Sequence, residues 1–245
     1  MDSSRGDPVR LTFDAAVDGN PLWSSDGQRV VFYSSRSGPG LWEKSGSGAG
    51  DEQLVADIAG LPLSWSPDGQ FLLYSLVSPN TGADLWILPM AGNRKARPLV
   101  QMSMDQNGGQ FSPDGRWLAY ESNDAGRYEV YVQAFPGGGG KRQVSVAGGT
   151  QPRWRHDGKE LYYIAPDARL TAVPAMATAG GSTLDIGVPV PLFRTRLATG
   201  GGVARGRPEY VVAPDGRFLM NTIVENTAAS PITVIVNWAA TVGAR

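Results

Sequence analysis

The chain has 245 residues, 41% of them hydrophobic, and a formal net charge of −1. That length fits one large domain with a sizeable core, and the hydrophobic share excludes a disordered chain. Near-neutrality argues against nucleic acid, which needs a basic footprint. The absence of Cys removes disulfides, thiolate metal sites and cysteine nucleophiles, and a lone histidine, His156, removes any multi-histidine metal centre.

In chain order, the first expected element is a strand at 9–13 (VRLTF). A repeated motif then dominates: WSSDG at 23–27, WSPDG at 65–69, FSPDG at 111–115, WRHDG at 154–158 and VAPDG at 212–216. Successive aspartates are 42, 46, 43 and 58 residues apart, close to the 40–50 residues of a propeller blade. Each motif reads as a hairpin turn, in which Pro presets φ, Asp bonds the local backbone and Gly takes the left-handed position. The strand after each turn is apolar on both faces: VVFY at 30–33, FLLY at 71–74, WLAY at 117–120, LYYI at 161–164 and FLM at 218–220. Such strands lie sandwiched between neighbouring sheets.

Third strands are expected at 41–44, 84–88, 128–132, 169–173 and 232–236, and outer strands at 52–55, 97–100, 142–146 and 190–193. The fifth outer strand is missing near the C-terminus, and 9–13 supplies one. The expected fold is therefore an all-β, five-bladed β-propeller of four-stranded blades, closed by the N-terminal strand. The blades cover about 17–55, 58–100, 105–146, 149–193, and 205–238 together with 9–13, within a single domain spanning 1–245. The wider spacing before the fifth motif predicts a mobile surface excursion within 174–207. No apolar run reaches the roughly 18 residues of a membrane span, and residues 1–7 lack the apolar core of a signal peptide.

The W-S-P-D-G turns and D-[IL]-[WY] third strands resemble the WD40-like (PD40) repeats of TolB-type β-propellers. Segments GADLWILP (82–89), GQFSPDGRWLAYES (109–122), QPRWRHDGKELYYIAPD (151–167) and PITVIVNW (231–238) resemble the C-terminal propeller region of bacterial serine/threonine kinases. The resemblance covers about residues 8–240. It implies a sensor or interaction module in an extracytoplasmic bacterial location. The kinase motifs themselves, a Gly-rich phosphate loop, H-R-D and D-F-G, are absent from this sequence.

Among residues capable of chemistry, the turn aspartates Asp26, Asp68, Asp114, Asp157 and Asp215 read as caps of their own turns. The aromatics Trp23, Trp65, Phe111 and Trp154 read as inter-blade packing. His156 sits on a hairpin corner with no nucleophile motif beside it, and the Gly runs at 137–140 and 200–202 open no helix, as phosphate loops do. The segments just before each innermost strand differ from blade to blade. They carry Asp18, Asn20, Asp57, Asp105, Asn107, Gln151, Arg205 and Glu209, the candidate binding residues at the mouth of the central channel.

Two functions fit. The first is a recognition module for a protein or small-molecule ligand, without a catalytic motif of its own. The second is a Ca²⁺-dependent lactonase or esterase, for instance acting on acyl-homoserine lactones, with Asp18, Asn20, Asp105, Asn107 and Glu209 as oxygen ligands. In either case a monomer is expected, with no nucleic-acid partner and no membrane insertion.

Overall fold

The structure is a computed structural model. It describes residues 10–137, 139–178, 181, 183–198 and 207–223, and the backbone of 234–235. The described residues are all-β, with no helix. They build antiparallel sheets in which sequence neighbours pair. The chain divides into two compact units, 1–62 and 63–245.

The first unit carries β1 (Asp18–Trp23), β2 (Arg29–Ser34), β3 (Gly40–Ser45) and β4 (Gln53–Ala56), paired in that order. Its interior is Val30, Val31, Phe32, Leu41 and Val55. Residues 10–13 form no strand. Phe13 instead lies under the Lys44 ammonium, 5.7 Å from its ring centre. The expected closing strand at 9–13 is thus not observed among the described residues, and Val9 lies outside them.

The second sheet holds β5 (Leu61–Trp65), β6 (Phe71–Ser78), β7 (Gly82–Pro89) and β8 (Arg97–Val100). The third holds β9 (Gln106–Phe111), β10 (Trp117–Ser122), β11 (Glu129–Ala134) and β12 (Arg142–Gln143). The fourth contains β13 (Thr150–Trp154), β14 (Glu160–Ile164) and β15 (Arg169–Ala177). Two strands share one edge of β15: β16 (Leu184–Ile186) and β17 (Val190–Arg194). The fifth has three strands, β18 (Tyr210–Val212), β19 (Phe218–Met220) and β20 (Val234–Ile235). The rest of the third strand expected at 232–236 lies outside the described residues.

The double-sided apolar strands are buried as their composition demands. All six residues of β10 are buried. Leu118 and Tyr120 pack with Leu73, Leu85 and Phe111 on one side; Trp117 and Ala119 pack with Trp154, Leu161 and Val173 on the other. Full burial of each such large side chain is worth about 1.5–3 kcal/mol. Trp65, Phe111 and Trp154 are buried, whereas Trp23 is half exposed. The excursion within 174–207 is partly ordered sheet: residues 175–177 pair with β16, and Ala175 and Leu184 join the core.

The repeated turn has one wiring. In three turns a serine hydroxyl donates to the aspartate two residues on: Ser24 to Asp26, Ser66 to Asp68 and Ser112 to Asp114. The same hydroxyl accepts the N–H five residues on, at 3.0 Å from Arg29, 2.9 Å from Phe71 and 2.9 Å from Trp117. Each aspartate also accepts the N–H two residues ahead, including those of Lys159 and Arg217 where serine is replaced. The turn glycines, Gly27, Gly69, Gly115, Gly158 and Gly216, all have φ between 68° and 82°.

A Cβ at Gly115 would meet only ordinary contact, 3.4 Å from Pro67. The cost of filling it is therefore backbone strain. Gly115→Val should lose more than about 1 kcal/mol in denaturant unfolding, because a β-branched residue resists the left-handed region. Gly115→Asn should lose distinctly less, since Asn tolerates that conformation. Asp114→Ala should lose about 1 kcal/mol. Equal losses for Val and Asn would contradict the conformational reading.

Candidate functional site

The turns fix the register of each innermost strand, so positions counted back from the aspartate are equivalent among repeats. Six residues before it stand Asn20, Pro62, Gly108, Gln151 and Glu209. At three of these the backbone is left-handed, with φ of 53° at Asn20, 63° at Gly108 and 55° at Gln151. The innermost strand bulges at the same place in each of the three. A bulge leaves one residue out of the ladder and frees its polar groups for other partners. Positive φ at a non-glycine residue is uncommon and is kept only where surrounding contacts enforce it.

The contacts at Gln151 supply that enforcement. Its N–H donates to Glu121 Oε2 of the third sheet at 2.5 Å. Its side-chain Oε1 accepts the Glu209 N–H at 2.9 Å, and its Nε2 donates to Glu209 Oε2 at 3.3 Å. Its carbonyl accepts the Tyr210 hydroxyl at 2.9 Å. One residue on β13 thereby stitches the third sheet to the fifth.

Glu121 is fully buried. Burial pushes its carboxyl up to about 7, against the opposing effects of the Gln151 N–H and the Arg153 charge. Its second oxygen, Oε1, is sealed from solvent and makes no hydrogen bond. Gly108 lies beside it, where an added Cβ would crowd the Glu121 carboxyl carbon at 3.2 Å. Arg153 is only 9% exposed. Its Nη1 donates to the carbonyls of Pro152 at 2.6 Å and Gly108 at 3.4 Å. Burial lowers its pKa, and the neighbouring Tyr210 and Glu121 oppose that shift. Even so, a guanidinium stays charged.

The other sequence candidates fall in several places. Asp105 accepts the Ala83 N–H at 2.8 Å and the Tyr128 hydroxyl at 3.0 Å, tying the second sheet to the third. Asn107 is buried, with its Oδ1 facing Ser75 at 3.5 Å and its Nδ2 unbonded. In the first unit, Asp18 is ion-paired with Arg36 at 2.8 Å, Asn20 is buried and Asp57 is exposed on the bend after β4. Arg205 lies outside the described residues. Gln151 and Glu209 are brought together; Asp105 and Asn107 face the second sheet instead. Among the described residues no three acidic or histidine side chains lie close enough to hold a metal ion. His156 is exposed at its turn.

Glu121, Arg153 and Tyr210 were not among the sequence candidates. A position-by-position comparison of repeats carries their signal. Seven residues after the turn aspartate stand Tyr33, Ser75, Glu121 and Ile164, and four residues before it stand Leu22, Ser64, Gln110, Arg153 and Val211. Glu121 and Arg153 are the only charges at those positions.

No family model matches the chain. Among solved structures it is similar to TolB from Acinetobacter baumannii, with a TM-score of 0.65 and 16% identity over 88% of this chain. The chain spans 51% of that protein's length. It is similar to an oligogalacturonate lyase solved with manganese, at TM-score 0.61 and 15% identity, covering 86% of this chain and 63% of that one. A chain of a nidogen/laminin complex matches at TM-score 0.54 and 10% identity, covering 84% of this chain and 72% of that one. At these identities the likeness is one of fold, that of the TolB β-propellers.

The Glu121 environment has a consequence for stability. A carboxyl whose folded pKa is raised to about 7 binds a proton more tightly folded than unfolded. Its contribution is present below the ordinary carboxylate range and is lost as pH rises towards 7. The loss is on the order of 3 kcal/mol. Asp26, Asp68 and Asp215 are shifted the other way by their turn hydrogen bonds, so their contributions change only at more acid pH. The melting temperature should fall between about pH 5 and pH 8, and Glu121→Gln should flatten that fall. An unchanged slope in the variant would show that Glu121 is not the titrating group.

Proposed function

We propose that this chain is a recognition module of five blades that binds a protein or small-molecule ligand at the starts of its innermost strands. The single observation behind it is the contrast between the two ends of those strands. At the turn end every repeat uses Asp and Gly in one wiring. At the other end each repeat places a different residue six positions before the aspartate, the strand bulges there in three of the repeats, and Gln151 joins Glu121 of the third sheet to Tyr210 of the fifth. A rigid scaffold with varied residues at one end suits selective binding. The resemblance to kinase-linked propellers supports a sensor role outside the cytoplasm.

A calcium-dependent lactonase draws on the same end of the strands through Asp18, Asn20, Asp105, Asn107 and Glu209. It receives less support, because Asp105 already accepts two hydrogen bonds and Glu209 is engaged by Gln151. The oligogalacturonate lyase among the similar structures indicates that propellers of this kind also carry enzymes.

One experiment separates the readings. Peptide and oligosaccharide panels are probed with fluorescently labelled protein, and a lactone and ester panel is assayed with calcium or with EDTA. Recognition predicts at least one bound class whose affinity drops about tenfold or more in Gln151→Ala but not in Asp114→Asn, and no turnover. EDTA-sensitive lactone hydrolysis lost in Asp105→Asn would overturn it, as would binding that Gln151→Ala leaves intact.

A further inference from the structure

The third and fourth sheets share a cleft at their turn end, away from the Gln151 seam. Its volume is about 340 Å³, at the small end of ligand pockets. Trp117 and Ala134, paired across β10 and β11, line it together with Leu184 of β16. Trp117 and Leu184 belong to one buried cluster, and Ala134 packs against it, so the cleft borders the core directly. The glycine run supplies the rest of the lining. Gly137, Gly139 and Gly140 present backbone alone, and a Cβ on any of them would meet nothing within 4 Å. The run thus leaves open the space that ordinary side chains would take. One charged side chain completes the lining: Arg142, which is exposed and forms no ion pair among the described residues. Its Nη1 donates to the Leu184 carbonyl, which holds the guanidinium across the join between the two sheets.

We propose that this cleft binds a small ligand with an apolar body and one carboxylate. The body covers the apolar surface that the glycine run leaves bare. The carboxylate meets the nitrogens of Arg142 that Leu184 does not hold, and a planar guanidinium takes two carboxylate oxygens side by side. No carboxylate or amide side chain lines the cleft among the described residues, so a polyhydroxyl ligand finds few acceptors there. The charges around it favour an anion. Arg116 reaches the hairpin before β16, where a Cβ at Gly181 would collide with its Nη1. Lys141 is paired with Asp124 at 3.1 Å. Asp114 is held in its turn by the Ser112 hydroxyl and the Arg116 N–H. Asp185 is exposed and alternates with the buried Leu184 along β16, so it points to the other face. The undescribed positions beside the cleft are Gly138, Ala179, Gly180 and Ser182, and none of these is a charged residue type. This site lies at the opposite end of the strands from the recognition surface proposed above and does not depend on it.

The test is a titration of the full chain with sodium octanoate, and separately with 1-octanol and sodium acetate, followed by backbone amide shifts. Octanoate should saturably shift the amides of residues 117, 134, 139, 142 and 184 at millimolar concentration. 1-Octanol, which lacks the carboxylate, should bind at least about tenfold more weakly, and acetate, which lacks the body, should leave these amides unshifted. Arg142→Gln, on the exposed rim, should lower octanoate affinity at least about tenfold and bring it level with that of 1-octanol. Ala134→Leu, which grows into the cleft from the strand, should abolish binding of both, with folding verified by its melting curve. No saturable octanoate response at these amides, equal affinity for 1-octanol in the unaltered protein, or undiminished octanoate binding in Arg142→Gln or in a folded Ala134→Leu would each overturn the proposal.

Discussion

The Ser-x-Asp-Gly turn is the constraint on which the rest depends. The aspartate holds one N–H two residues ahead, the serine hydroxyl holds another five residues on, and glycine supplies the left-handed φ. Together these clamp the innermost strand to its neighbour at a set register. A one-residue slip would exchange the two faces of the strand. Phe111, packed towards Leu73 and Leu85, would then change places with Gln110, which holds the Trp154 N–H at 2.8 Å. The turn thereby decides which side chains meet between sheets, although it lies at the far end of the strand from the polar seam.

Away from the turn the sheets are joined by two kinds of contact with different energetics. Apolar packing on both faces of the second strands is non-directional and large in sum. The seam through Glu121, Gln151, Glu209 and Tyr210 is directional, and it is favourable only where its groups are satisfied. Most of its atoms are. The exception is Glu121 Oε1, which is buried without a hydrogen bond among the described residues. The strained φ of Gln151 belongs to the same account, because straightening the bulge would withdraw its N–H from Glu121.

Much of the fold was legible from residue patterns, because a turn made of Pro, Asp and Gly announces itself wherever it recurs, and Leu, Tyr and Trp on both faces of a strand leave few alternatives to sandwiching. Less legible were features that depend on distant partners. The segment 10–13 has strand-like composition yet forms no strand, since composition does not specify a partner edge. Residues 175–177 extend β15 because β16 offers an edge a few residues further along the chain, where Met176 pairs with Asp185. At the site, varied polar residues before each innermost strand pointed to Gln151 and Glu209. Glu121 directly follows the segment 117–120 read as apolar strand and Arg153 directly precedes the aromatic anchor Trp154, and an aligned comparison of repeats marks both as exceptional.

The account turns on whether Glu121 carries a proton near neutrality inside the seam. Carboxyl carbon chemical shifts of glutamate-labelled protein, assigned through the Glu121→Gln variant, measure this directly. The account predicts a midpoint near 7 for Glu121. A midpoint in the ordinary glutamate range, about 4.3, would contradict it.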